Sequence, residues 1–188
     1  MRFLESKQDW IVAAIGRVRA KSAPVVIAPP YSTRFHSLEL RQAEIANIRV
    51  RISDGLITVT YPHSLPHTDG AVQKAIKKGI EEAWRIEAKE LLPRRMAEIA
   101  RSHGFRYNGV TIRNTVSKWG SCSARDDISL SVHLMRLPDH LIDYIIIHEL
   151  CHTVHKNHGP QFHALLNKHT AGQHPVLRKQ LRAYNTRW

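Results

Sequence analysis

The chain has 188 residues, 43% of them hydrophobic, which is enough to bury the core of one ordinary domain with a small appendage. Its 28 Lys+Arg against 16 Asp+Glu give a formal net charge of +12, which favours polyanionic partners such as nucleic acid, nucleotides or acidic protein surfaces. With only two cysteines a four-cysteine zinc site is excluded, and no apolar run approaches the roughly 20 residues needed to span a bilayer.

Residues 1–20 carry Trp10, Ile11, Ala14 and Ile15 at the spacing of a short amphipathic helix. Nothing there has the apolar core of a secretion signal, so the expectation is a soluble, cytoplasmic protein with no membrane partner. Residues 21–36 contain Pro24, Pro29 and Pro30 and read as a linker or extended arm, so the chain divides into an N-terminal segment 1–36 and a domain 37–188. Ile45, Ile48, Val50 and Ile52 lead into Ser53-Asp54-Gly55, and Leu56, Ile57, Val59 and Tyr61 lead away. An Asp-Gly pair between β-rich runs predicts a hairpin.

Residues 69–103 form a long helical pattern through Val72, Ile76, Ile80, Trp84, Leu91 and Ile99, with Pro93 expected to kink it or split it in two. Gly109–Arg113 reads as a strand. After Val116–Ser123, the alternation of Ile128-Ser129-Leu130-Ser131-Val132 reads as its return. Leu137-Pro138 marks the start of an apolar helix, with Pro138 setting the first turn. Asn157, Gly159 and Pro160 mark its end. Shorter helices follow from Pro160 or Gln161 to about Lys168, and from Pro175 to about Tyr184. A small sheet ahead of a functional helix is an α+β layout.

That apolar helix carries His148-Glu149-Leu150-Cys151-His152, an HExxH pattern. Residues i and i+4 share a helix face, so both imidazoles can meet one metal ion. Glu149 lies about 60° round the helix from His152, in reach of a water on that ion. Buried unpaired polar groups cost roughly 2–7 kcal/mol, so this set is expected to have a partner. No Asp or Glu follows Glu149, so a third ligand must be a histidine: His155, His158, His163, His169 or His174. His155 would need about 10 Å of rise from His148 on one rigid helix. His158 sits in the turn-forming run that lets the chain fold back, and is the preferred choice. Three histidines with one open position match a catalytic Zn²⁺ site.

Trp119-Gly120-Ser121-Cys122, Ile128-Ser129-Leu130, Leu137-Pro138, Tyr144–His152, and Asn157-His158-Gly159 with Phe162 follow one another in this order. The series resembles the YgjP-like metallopeptidase domain, itself similar to the SprT-like and WLM zinc peptidases. The resemblance covers about residues 37–169 and is strongest over 116–163. It implies a minimal zincin-type α+β fold, zinc ligands His148, His152 and His158, and Glu149 as general base. His163 departs from the pattern, where a tryptophan commonly follows the phenylalanine.

The expected function is therefore a zinc-dependent peptidase acting on peptide or protein substrates. The segment Trp119-Gly120-Ser121 is expected beside the helix as a substrate edge, with Gly120 permitting close backbone approach. Trp119 has packing as its alternative role. Cys122 reads as a small packing residue, or alternatively as an inhibitory thiol ligand. Lys118, His155, His163 and Tyr184 are equal candidates for stabilising an oxyanion. Two competing functions stand beside this one: a metal-dependent nucleoside triphosphate phosphohydrolase, and a nucleic-acid-associated module with zinc.

Overall fold

The computed structural model describes residues 26–186; the helix expected over residues 1–20 lies outside them. The hairpin forms where the Asp-Gly pair predicts it. Asp54 and Gly55 have φ of 53° and 73°, the two positive angles that a tight primed turn requires and that glycine adopts without strain. The turn joins β2 (Arg49–Ser53) to β3 (Leu56–Pro62) in antiparallel register, with Ile52 opposite Ile57. A strand that the sequence reading missed, β1 (Ser37–Ala43), pairs parallel to β3, giving the order β1-β3-β2. Its run of Glu39, Arg41 and Gln42 hides the pattern, and its partner lies beyond the intervening β2. Along β3, Ile57, Val59 and Tyr61 are buried while the residues between them face outward, the period of two of a half-buried strand.

The helix α1 (Gly70–His103) packs on that buried face. Asp69 caps its start by accepting from the N–H groups of Ala71 and Val72, and left-handed Gly104 closes its end. Pro93 does not split it: α1 is one continuous helix. A mid-helix proline costs about 3 kcal/mol, but Leu92 and Met96 on either side are fully buried, and each such side chain contributes about 1.5–3 kcal/mol of burial. Packing thus outweighs the lost hydrogen bond.

The segment before β1 is stitched to the same helix. Ile27 is buried, and its main chain exchanges hydrogen bonds of 2.8 and 3.0 Å with the Gln73 side chain. The Glu87 carboxylate, fully buried on α1, accepts from the Phe35 N–H at 2.9 Å and from the Thr33 hydroxyl, and contacts His36 Nδ1 at 2.8 Å.

The second sheet contains β4 (Gly109–Arg113), β5 (Gly120–Cys122) and β6 (Asp127–Ser131) in the order β4-β6-β5. Here β4 runs parallel and β5 antiparallel to the central β6. A short 3-10 turn (Val132–Arg136) leads to α2 (Asp139–Cys151), which is preceded by Pro138 as its cap residue and not as its first helical residue. Nine of its residues are buried, from Leu141 to Cys151, and it packs on α1 and β5. Arg95 of α1 binds Asp143 of α2 through two 2.6 Å hydrogen bonds, the forked geometry that fixes register between elements. Then α3 (Pro160–His169) and α4 (His174–Leu181) both fold back against α2. The result is the expected α+β arrangement. Among the described residues no helix is long and apolar enough to cross a membrane.

Glu87→Ala leaves three donors of the 33–36 segment facing an apolar gap. It should cost about 3 kcal/mol and lower Tm by roughly 6–12 °C in a thermal melt followed by circular dichroism. A fall below about 2 °C would mean the carboxylate does not tie the segment down.

Candidate metal centre

The helix α2 ends earlier than expected. It stops at Cys151, and His152 is the cap residue, with φ −70° and ψ −17°. Those angles are still helical, so His148 and His152 keep the i, i+4 relation on one face. The chain then turns through 153–159 instead of continuing to Asn157, and α3 starts at Pro160. This early end frees the chain to bring His158 back over the helix face.

The Nε2 atoms of the three histidines converge. His158 Nε2 lies 3.1 Å from His148 Nε2 and 3.1 Å from His152 Nε2, and the three donor atoms all lie within 4.8 Å of one another. Four donors around an ion with bonds of about 2 Å would be about 3.3 Å apart, so the spacing fits a metal held by nitrogen. The orientation fits too. His152 Nδ1 lies 3.1 Å from the main-chain oxygen of His155. Donation to that carbonyl leaves the lone pair of His152 Nε2 pointing into the cluster. His158 Nε2 has one in-plane position and cannot serve two neighbours with linear hydrogen bonds. A cation resolves that conflict.

Phe162 of α3 is the floor of the cluster. It is fully buried, with its ring centroid 5.0, 4.5 and 4.7 Å from those of His148, His152 and His158. An apolar floor disfavours imidazolium. Burial, reinforced by the neighbouring His152 and His158, pushes His148 down to about 3. His152 is also lowered, first by burial. Neutral imidazole is the form that binds a metal.

Glu149 is 5% exposed. Burial raises its carboxyl to about 7 against the opposing pull of Lys118. Its neighbour across the interface is Gly120 of β5. A Cβ there would lie 2.7 Å from Glu149 Oε1 and 2.8 Å from its Cγ. The glycine therefore permits the close approach that the sequence suggested, and the group approached is the glutamate.

The other expected residues divide. His155 contributes its carbonyl. His163 stacks on His174 with centroids 5.4 Å apart, and His174 Nδ1 lies 3.1 Å from the Tyr144 hydroxyl. His169 is elsewhere, with its Nδ1 3.0 Å from His103 Nδ1. Trp119 is half-buried against the core. Cys122 is half-buried, with its Sγ 3.5 Å from the Ser123 carbonyl and 3.9 Å from Lys156 Nζ. Cys151 is fully buried and packs. Tyr184 is exposed. The sequence reading missed Tyr144, although it precedes His148 by one helical turn and so lies on the ligand face.

The family profile described as YgjP-like, metallopeptidase domain, matches residues 1–184. The chain belongs to the YgjP-like metallopeptidase domain family. It is therefore a metallopeptidase, a class that needs a metal ion and a peptide or protein substrate. No curated protein matches the chain. The chain is similar to solved structures that include two metallopeptidase zymogens. The metallopeptidase zymogen jannalysin of Methanocaldococcus jannaschii is 22% identical, with TM-score 0.43, over 49% of this chain and 94% of that one. The metallopeptidase zymogen abylysin of Pyrococcus abyssi is 19% identical, with TM-score 0.38, over 47% and 94%.

Phe162→Ala removes the surface on which all three imidazoles rest. The expected loss is about 3–5 kcal/mol of stability in denaturant unfolding, together with weaker metal retention in a chelator competition. Unchanged metal retention would show that the rings hold their places without it.

Proposed function

We propose that this metallopeptidase is zinc-dependent, with His148, His152 and His158 as ligands and Glu149 as general base. The observation that carries the reading is the convergence of the three Nε2 atoms, 3.1 Å from His158 to each partner, beside a buried glutamate on the same helix. The all-imidazole donor set suits zinc better than the oxygen-seeking cations. When bound, zinc would supply Lewis acidity to the attacking water and the scissile carbonyl. Glu149 takes the proton of that water during attack and gives it to the leaving amine. Burial raises this carboxyl in the metal-free site, and a cation bound beside it would draw it back toward the carboxylate that a base must be. Gly120 keeps the space in which the carboxylate stands, and the His155 carbonyl keeps His152 oriented.

The substrate lies extended along β5. This strand ends the sheet. Trp119 and Ser123 direct their main-chain bonds to Ser131 and Asp127 of the β6 side. By the alternation of an antiparallel ladder, Gly120 and Cys122 turn their N–H and C=O groups to the open edge. An added strand would pair there, next to Glu149. The cytoplasm is the proposed location, supported by the two unpaired cysteines.

Elemental analysis with casein cleavage tests this reading. Wild type should carry about one zinc per chain and cleave. Glu149→Gln should keep the zinc and lose at least 100-fold in kcat. His158→Ala should lower zinc affinity by more than tenfold in a chelator competition. Undiminished turnover in Glu149→Gln rules out the general base, and unchanged affinity in His158→Ala moves the third ligand elsewhere.

Gly120→Ala should cost about 100-fold in kcat with zinc content unchanged, because a displacement of about 1 Å in a reacting group has an effect of that size. Wild-type kcat in that variant would mean the carboxylate has another place to stand.

A further inference from the structure

The outer face of the second sheet, opposite α2, forms a groove of about 830 Å³. Its lining includes Arg113 at the end of β4, Lys118 ahead of β5, Arg125 in the β5–β6 turn, and Ser121 and Ser129 between them. All three cations are exposed, and none forms an ion pair with another described residue. The one acid in the lining, Asp127, is held at the turn by hydrogen bonds from Asn108 at 2.7 Å and from Ser123 at 3.4 Å. The groove thus carries an excess of positive charge over its one carboxylate, with Arg113 and Arg125 facing it and Lys118 shared with Glu149.

This groove and Glu149 lie on opposite faces of the same edge strand. Gly120 faces Glu149. Ser121, the next residue, pairs with Ser129 on the groove face. A peptide paired to the edge of β5 has side chains alternating between these two faces. One set points toward α2 and the metal centre, and the other set points over the groove.

We propose that the groove is a specificity site for acidic side chains, so that the preferred substrate carries Asp or Glu at the alternate positions that face away from the metal centre. This rests on the peptidase reading above and adds a substrate class to it. A polypeptide fits better than a nucleic acid. The groove borders a strand edge that offers main-chain pairing, and its lining contains no aromatic ring on which a base could stack.

The test uses the full-length, zinc-loaded Glu149→Gln protein and fluorescent ten-residue peptides of one sequence. They carry Glu, Ala or Lys at alternate positions, and binding is read by anisotropy at low and at physiological salt. The Glu peptide should bind about tenfold tighter than the Ala peptide, the sum of a few exposed ion pairs, and the gain should shrink as salt rises. In the double variant Arg113→Glu, Arg125→Glu, the order of the Glu and Lys peptides should reverse. Equal binding of the three peptides, or an acidic preference that survives the reversal, overturns the proposal. So does an oligonucleotide of equal charge that displaces the Glu peptide at lower concentration than unlabelled Glu peptide does. Wild-type cleavage of the same peptides separates the two readings. Charge-selective binding with no cleavage of any peptide counts against the peptidase reading and leaves the groove standing, whereas cleavage indifferent to charge removes the groove alone.

Discussion

The placing of His158 Nε2 at 3.1 Å from both His148 Nε2 and His152 Nε2 is the constraint on which the rest of this structure turns. Imidazoles brought this close repel through their lone pairs unless a proton or a cation stands between them. The surroundings disfavour added protons: burial and the neighbouring rings keep His148 from charging, and His152 spends its one N–H on a carbonyl. The fold therefore favours a metal by denying the cluster the charge of added protons. Phe162 makes that denial effective, because an aromatic floor under all three rings excludes water from one side of the cluster.

The same helix serves packing and chemistry, and the two are reconciled by where each face points. The isoleucines and leucines of α2 bury against α1 and the sheet, and the Arg95–Asp143 fork fixes the two helices in register. Glu149 faces β5, where only glycine leaves room for its carboxylate. The raised carboxyl follows from that burial. In the proposed mechanism, Glu149 beside a sheet edge also sets where an extended substrate would run, so one contact between helix and strand would link the protonation of that carboxyl to the path of the peptide.

Much of this was legible in the sequence. The HExxH spacing, the absence of acids after Glu149, the Asp-Gly hairpin and the glycine at 120 are local signals, each tied to short-range geometry that any chain with those residues must obey. The length of α2 was not legible. Its end at Cys151 depends on tertiary packing of the 153–159 turn, where no Gly or Pro stands before Gly159. Nor was β1, whose partner strand is supplied from beyond a hairpin, or the survival of α1 through Pro93, which depends on how deeply Leu92 and Met96 are buried.

The sequence by itself pointed to the class of enzyme and to the residues proposed for its chemistry, because residue identity and i, i+4 spacing are properties of the chain. The sequence singled out His158 and the Gly120 segment, and the tertiary structure supplied the distances at which His158 meets His148 and His152 and Gly120 meets Glu149. Both depend on contacts between segments far apart along the chain, whose geometry no local spacing contains. The tertiary structure also decided that the three cations of the groove share a face, since Arg113 and Arg125 become neighbours only once β4 and β5 flank β6.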